Sequence, residues 1–170
     1  MLLAKHYKIP QGEWPYRSKF IGDYIIKNNY KYIFDMGCGV KDLKKFISPK
    51  QIYTGYDFRP FDSEVKFCDF NESFPKIELG LKTDRCGVVL GVLEYLDNVE
   101  KFLIGCRDNF GHTILSYTWF GKTPDHQRPG DEGLRPFDMI ETKELETMLF
   151  NVFGKFKIKA RHVNHVYVID

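Results

Sequence analysis

Short apolar segments alternate with amphipathic segments along most of the chain, and this alternation predicts the secondary structure. Apolar residues at helical spacing predict four helices, which begin near Ser18, before Leu43, after Asp97 and at residue 142. Ser18 and Asp97 are the predicted N-caps of the first and third of these helices. The apolar segments predict seven β-strands, at residues 31–36, 51–57, 64–69, 86–92, 112–117, 156–160 and 166–168.

The order of these segments predicts an α/β domain. Five strands that alternate mostly with helices favour a parallel sheet, and the hairpin 156–168 must add one antiparallel strand. Only six residues, 58–63, separate the second strand from the third, which leaves no room for a full crossover helix. At 170 residues the chain predicts a single domain, residues 1–170, with an irregular N-terminal arm at 1–15.

Composition favours no charged macromolecular partner. The chain has 25 basic and 23 acidic residues and a net charge of +2, so neither nucleic acid nor a membrane surface is indicated. No apolar run approaches the ~20 residues of a membrane span, and no signal-peptide pattern is present at the N-terminus. The four cysteines form no CxxC pair for zinc. We therefore expect a cytoplasmic protein with free thiols and without a metal site.

Two glycines follow the first predicted strand, and this turn is the strongest candidate for a ligand site. Gly37 and Gly39 permit positive φ and let a ligand approach the backbone, and the N–H groups of a following helix attract negative charge. A dinucleotide fingerprint needs a third glycine at the sixth position, which is Asp42 here, so NAD and FAD are disfavoured. The Gly-Lys-Ser/Thr ending of a phosphate-binding loop is also missing.

The segment Asp35-Met36-Gly37-Cys38-Gly39, after an apolar strand, resembles motif I of the class I S-adenosylmethionine-dependent methyltransferases. A third glycine often follows in that family, and Lys41 stands at that position here. The resemblance covers residues 16–170 and implies the family's architecture, a Rossmann-like, mostly parallel seven-stranded sheet with helices on both faces and an antiparallel C-terminal hairpin strand. It also implies S-adenosylmethionine as the cofactor.

The resemblance assigns cofactor roles to residues at the strand ends, where open parallel sheets bind ligands. Asp57, which ends the second strand, is placed to accept hydrogen bonds from both ribose hydroxyls. Arg17 is placed to pair with the cofactor carboxylate. A solvated loop aspartate and a surface arginine are the alternatives for these two residues. The implied cofactor-binding set is Arg17, Asp35, Gly37, Gly39, Asp57, Asp69, Phe70, Leu90 and Gly91.

Two pairs of neighbouring residues in that set resemble further segments of the family's cofactor site. Asp69 and Phe70 resemble the pair that meets the adenine, in which the acid takes the exocyclic amine and the apolar neighbour covers the ring. A turn-capping aspartate is the alternative for Asp69. Leu90 and Gly91 resemble the segment whose backbone carbonyls hold the methionine ammonium.

The acceptor side is assigned to the polar loop 119–138, which follows the fifth strand and carries His126. Histidine is the side chain most able to act as a base near neutral pH, although a histidine in such a loop is often simply exposed. Tyr117 and Glu94 can approach from neighbouring strand ends. No Asn/Asp-Pro-Pro-Tyr motif and no Pro-Cys pair is present, so nucleic acid bases are unlikely acceptors.

The predicted function is the methylation of a small-molecule acceptor, with a sugar or sugar-derived metabolite among the candidates, at oxygen or nitrogen. The first alternative is a methyltransferase-like binding or regulatory subunit without catalysis. The second is an RNA or protein methyltransferase. Basic residues alternate on one face from 155 to 161, which suits an RNA-binding stripe less well than an edge strand protected by lysines. The sequence makes no prediction of the oligomeric state.

Overall fold

The computed structural model describes residues 14–118, 140–161 and 164–170. The helices are α1 (Trp14–Lys27), α2 (Val99–Asn109) and α3 (Thr142–Phe153). Short 3₁₀ helices lie at Asp42–Phe46, Lys82–Asp84 and Leu93–Tyr95. The strands are β1 (Tyr32–Met36), β2 (Ile52–Asp57), β3 (Val65–Phe67), β4 (Arg85–Leu90), β5 (His112–Thr118), β6 (Lys157–Arg161) and β7 (Asn164–Ile169).

The seven strands form one sheet in the order β3-β2-β1-β4-β5-β7-β6. Strands β1 to β5 pair in parallel, and β7 runs antiparallel to both of its neighbours. The chain leaves β1 on one side towards β2 and resumes on the other side with β4. The carboxyl ends of β1 and β4 therefore border the crevice where such sheets bind ligands. The predicted sheet is confirmed.

Side chains alternate along the strands and build one apolar core on each face of the sheet. On one face, called here the α1 face, Ile33, Val88 and Ile114 pack with Ile21 and Ile25 of α1. The opposite face packs against helices α2 and α3. Its core includes Phe34, Val89, Leu115, Tyr167, Phe102, Leu103, Leu145 and Leu149. The predicted helices on both faces are confirmed.

The α1 face is left open beside β3. Residues 58–64, all of them within the described part of the chain, connect β2 to β3 without a helix, as their number predicts. Phe67 of β3 shares the face of Asp57 through their pairing and is 65% exposed. Its ring lies 6.2 Å from the ring of Phe58, which is also exposed. No regular element packs over this corner among the residues that the structure describes.

Two predicted helix starts are wrong. Helix α1 begins at Trp14, and Ser18 is buried inside it. Residues 14 and 15 therefore belong to the helix and not to the arm, because a proline is tolerated in a first helical turn. The rest of the predicted arm, 1–13, lies outside the described residues. The N-cap of α2 is Asn98, whose side chain accepts the N–H of Lys101, and not Asp97.

Other predicted features agree closely with the structure. Helix α3 begins and ends where predicted, and its C-cap Gly154 has the left-handed φ of 76° that favours glycine. The four cysteines are free and buried. Strand β6 lies at an edge of the sheet, with Lys157 paired to Asp170 at 3.2 Å and Lys159 over the ring of Tyr24. None of the described helices combines the length and apolar character needed to cross a membrane.

Candidate functional site

In the turn after β1, the space beside Gly37 is occupied and the space beside Gly39 is open. Gly37 and Gly39 both have positive φ, 79° and 48°. The N–H groups of Gly37 and Cys38 donate to the carbonyl of Tyr56 at 2.8 and 3.0 Å, which ties the turn to β2. A Cβ at Gly37 would collide with Val92, whereas a Cβ at Gly39 would meet nothing within 4 Å. Gly37 is thus required by packing, and Gly39 presents bare backbone to open space.

Asp57 faces the same turn from the end of β2. Its Oδ2 accepts the N–H of Gly39 at 2.8 Å, and its Oδ1 accepts the N–H of Arg59 at 2.8 Å. A carboxylate has about four acceptor positions, so two hydrogen bonds leave capacity for two more. The structure therefore holds a half-exposed carboxylate beside the open side of Gly39, an arrangement that suits a vicinal diol.

Asp35 lies beneath the turn and not at the sheet edge, because its side chain points into the α1 face and is 2% exposed. The Tyr53 hydroxyl donates to its Oδ2 at 2.7 Å. Burial raises the pKa of Asp35 to about 7, against the lowering effects of the Tyr53 hydrogen bond and of the Arg17 charge. Asp35 consequently titrates near neutral pH.

Arg17 is buried, which excludes the surface arginine considered above. It is 9% exposed, and a guanidinium nitrogen donates to the hydroxyl of Ser116 at 3.3 Å. Its charge also acts on Asp35. Helix α1 thus brings a cation to the carboxyl end of β5, in the middle of the sheet edge. This position suits an anionic ligand group.

Asp69 and Phe70 form the turn after β3. The Asp69 side chain accepts the N–H of Asn71 at 2.9 Å, so this aspartate does shape its own turn. Phe70 is half-buried, and its ring meets Phe102 of α2 edge-on at 5.2 Å. The Cys68 N–H donates to the Asp57 carbonyl at 3.0 Å, which joins this turn to the end of β2.

Asn71 joins the turns after β3 and β4, a role that the sequence analysis missed. Its Oδ1 accepts the N–H of Asp97 at 2.7 Å, and its Nδ2 donates to the carbonyl of Tyr95 at 3.2 Å. Helix α2 starts at the next turn of the chain, where the Asn98 carbonyl accepts the N–H of Phe102 and the Asn98 side chain accepts the N–H of Lys101. The only signal in the sequence is an asparagine directly after Asp69-Phe70.

Leu90 and Gly91 end β4 at the opposite side of the crevice. Gly91 has a φ of 71°, and its N–H faces the carbonyl of Ser116 at 3.4 Å. Leu90 is buried in the α1-face core. The positive φ of Gly91 turns the chain away from the sheet, and Val92 then packs against Gly37. The two glycine turns of the crevice therefore support each other.

Of the three predicted catalytic residues, the structure describes Tyr117 and Glu94. The Tyr117 hydroxyl is buried and donates to the carbonyl of Ile140 at 2.8 Å, where the chain returns to the sheet. Burial, followed by the charge of Glu94, raises the pKa of Tyr117 to about 12, so the hydroxyl stays protonated at neutral pH. Glu94 is half-buried in the 3₁₀ helix after β4. His126 lies outside the described residues.

Solved structures with a similar fold include several methyltransferases. The N-terminal domain of EvdMO1 with S-adenosylhomocysteine (SAH) bound has a TM-score of 0.63 and 12% identity, over 91% of this chain and 79% of that one. The magnesium protoporphyrin IX methyltransferase of Synechocystis PCC 6803 has a TM-score of 0.57 and 13% identity, over 91% and 81%.

A third similar structure is the 1,6-didemethyltoxoflavin-N1-methyltransferase of Burkholderia thailandensis, with a TM-score of 0.62 and 15% identity, over 95% of this chain and 79% of that one. Neither a family model nor a curated protein matches the sequence. At these identities the likeness establishes the fold, which is that of the class I methyltransferases. The architecture implied by the motif I resemblance is thereby confirmed.

Proposed function

We propose that this protein is an S-adenosylmethionine-dependent methyltransferase that acts on a small molecule. The observation that carries the proposal is the Gly39–Asp57 arrangement, in which bare backbone and a fixed carboxylate border the same open space. Similar structures solved with SAH or S-adenosylmethionine bound support the choice of cofactor. The departure at Lys41 does not oppose it, because Lys41 has the left-handed φ of 60° that a glycine would supply.

The ribose and adenine would lie at the β2 and β3 ends of the crevice. We assign the ribose hydroxyls to the free acceptor positions of Asp57, and we assign the adenine to the turn of Asp69 and Phe70. The bare backbone of Gly39 allows the cofactor to approach the turn closely. Because Phe70 is packed on Phe102, its ring offers a fixed apolar surface for the base.

The methionine end of the cofactor would lie over β4 and β5. The backbone carbonyls of Leu90 and Gly91 are assigned to its ammonium group, and Arg17 is assigned to its carboxylate. Asp35 lies beneath the glycine turn, and its charge would balance that of Arg17 once its proton is released near neutral pH. Backbone acceptors are thus assigned to the ammonium, and a cation is assigned to the carboxylate.

S-adenosylmethionine supplies a methyl group on a sulfonium, which an acceptor oxygen or nitrogen attacks in line. The protein's contribution is alignment and the exclusion of water, with a base added when the acceptor is a hydroxyl. We assign the base to His126. Glu94 is assigned to orienting the acceptor, and Tyr117 to holding the chain at Ile140 beside the acceptor space.

Small-molecule acceptors are supported by several of the similar structures. The toxoflavin methyltransferase was solved with 1,6-didemethyltoxoflavin, and the EvdMO1 domain was solved in the presence of SAH and D-fucose. A sugar or sugar-derived metabolite is therefore the first acceptor class to assay, with both O- and N-methylation measured.

The four buried free thiols support the proposal that the protein works in a reducing compartment, the cytoplasm.

Calorimetric titration with SAH, S-adenosylmethionine and NAD tests the cofactor assignment. We expect SAH and S-adenosylmethionine to bind and NAD to bind more weakly or not at all. Tighter binding of NAD than of SAH contradicts the proposal. Turnover over an acceptor panel then distinguishes an enzyme from a methyltransferase-like subunit, because the subunit would bind SAH without transferring a methyl group.

A further inference from the structure

Lys41 occupies the position where the methyltransferase motif often has its third glycine. Its φ of 60° and ψ of 38° place it in the left-handed region. Its N–H donates to the carbonyl of Cys38 at 2.8 Å, and its own carbonyl accepts the N–H of Lys44 at 3.0 Å. The backbone therefore closes the turn as a glycine would, although a β-carbon is present. A left-handed backbone is unfavourable for a lysine, so the contacts of its side chain should explain why a lysine stands here.

The Lys41 side chain reaches across to the connection between β2 and β3. Its ammonium lies 2.7 Å from the Glu64 carboxylate and also contacts Asp62, and Lys44 contacts Glu64 at 2.9 Å. These four residues, the Lys41 cluster, join the glycine turn to residues 62–64. The Lys41 side chain is only 16% exposed, whereas the side chains of Asp62 and Glu64 are 45% and 62% exposed.

The connection that Lys41 reaches is held mainly by polar contacts. Residues 58–64 are all exposed, and Phe58 and Phe61 do not pack into either core. At its start the Arg59 N–H donates to Asp57 and the exposed Phe58 ring lies 6.2 Å from that of Phe67, and at its end the Glu64 N–H donates to Asp62 within the connection itself. A crossover helix, which would normally fix this segment by apolar packing, does not form in these described residues.

We propose that Lys41 is a positioning residue whose ion pairs with Asp62 and Glu64 hold the β2–β3 connection against the glycine turn and so fix the Asp57 carboxylate. The inference rests on the proposed function, since it concerns the ribose end of the cofactor site. Asp57 lies between the two segments that the Lys41 cluster joins, and it is bonded to both, to Gly39 on one side and to Arg59 on the other. Loosening the connection therefore loosens Asp57.

Two properties follow from the exposed, charged nature of this cluster. Salt screens exposed ion pairs, so part of the cofactor affinity should be lost as ionic strength rises. The backbone of 58–64 should exchange its amide hydrogens faster when the ion pairs are removed, with or without a cofactor. Neither property is expected of a lysine that merely fills space.

The test compares two variants. Lys41→Met keeps the aliphatic part of the side chain and the strain of a left-handed non-glycine residue, and Lys41→Gly removes both. The matched control is Lys19→Met, which removes an exposed ion pair with Asp23 in α1 and leaves the Lys41 cluster intact. SAH affinity should fall about three- to tenfold in both Lys41 variants and less than twofold in the control. The SAH affinity of the parent should fall by about the same factor between 0.05 and 0.5 M NaCl, and the SAH affinity of the Lys41 variants should fall much less.

Two further experiments test the same idea: a charge-reversed pair of substitutions and amide hydrogen exchange. Lys41→Glu should weaken SAH binding, and Glu64→Lys added to it should restore part of the loss. Faster amide exchange in 58–64 should accompany the Lys41 variants without cofactor. If the parent binds SAH and the Lys41 variants bind it equally well, the inference is overturned and the proposed function stands. If the parent fails to bind SAH, the proposed function is overturned, and with it the role of Lys41 at the ribose.

Discussion

The Asp57 carboxylate accepts the N–H of Gly39 at 2.8 Å, which makes the acid that ends β2 and the turn that follows β1 a single structural unit. The two residues are 18 positions apart in the sequence and are brought together by the parallel pairing of β1 and β2. The same carboxylate also receives the Arg59 N–H. The group that we assign to the ribose is therefore fixed before any ligand arrives.

Removal of the Asp57 carboxylate should weaken cofactor binding strongly. In Asp57→Ala, the two ribose hydroxyls would be buried without partners, at a cost of about 1–3 kcal/mol, or about one to two decades in SAH affinity. Calorimetry measures this loss. The control is Asp84→Ala, an exposed acid before β4 at the opposite sheet edge, which should bind like the parent. A folded Asp57→Ala protein with parental affinity would remove Asp57 from the ribose site.

Asp35 should make the parent less stable as the pH rises from about 5 to 7, within the interval between its unfolded and folded pKa values. Its pKa is raised by burial to about 7 in the folded protein, above the ordinary value of 3.8. Between these values the folded state holds a proton that the unfolded state has released, so the free energy of unfolding falls with rising pH. The effect is on the order of 2 kcal/mol and should be missing in Asp35→Asn.

Urea unfolding of the parent and of Asp35→Asn at several pH values measures this difference. Tyr53→Phe provides an internal check, because loss of the Tyr53 hydrogen bond removes a stabiliser of the charged carboxylate. In that variant the decline in stability should extend to higher pH. Parallel pH curves for the parent and Asp35→Asn would mean that Asp35 is ionised throughout this range.

Asn71 should set the width of the crevice at the adenine end, since its amide bonds both Asp97 and Tyr95. We expect Asn71→Ala to lower SAH affinity about three- to tenfold, because two hydrogen bonds between the turns are lost. Asn71→Asp keeps an acceptor for the Asp97 N–H and should lose less. Asn28→Ala, which removes a similar side-chain bond to Tyr24 after α1, is the control. Equal SAH affinities in all four proteins would contradict this role.

Features set by local sequence could be predicted, and features set by distant partners could not. The strands followed from apolar runs, and the end of α3 followed from Gly154, which alone supplies the left-handed cap. The bond from Asn71 to Asp97, 26 residues later, was missed because no local pattern reveals it. The burial of Arg17 depends on Ser116, 99 residues away, which no spacing in the sequence reveals.

The Lys41 cluster shows the same limit within the candidate site. Its partners Asp62 and Glu64 lie in a segment whose sequence predicts only a short connection. That Lys41 departs from the family motif was visible in the sequence. That its backbone nevertheless adopts a glycine-like conformation, and that its ammonium faces two carboxylates, required the fold that brings β2 and β3 beside β1.

The pH dependence of turnover should identify the base for a hydroxyl acceptor. A histidine base gives a rise in kcat through a pKa near its ordinary value of about 6.5. Tyr117 cannot give that rise, because burial raises its pKa to about 12 and its hydroxyl is donated to Ile140. We therefore expect His126→Ala to lower kcat by about two to four decades and to abolish the rise near pH 6.5.

Tyr117→Phe is the matched comparison, because it removes a hydroxyl at the end of β5 without removing a base. It should keep the rise near pH 6.5 and lower kcat by no more than about tenfold, the effect of a less firmly held chain at Ile140. Cofactor affinity should be nearly unchanged in both variants, since neither residue is assigned to the cofactor. Parental turnover in His126→Ala would exclude His126 from the mechanism and leave alignment of donor and acceptor as the source of catalysis.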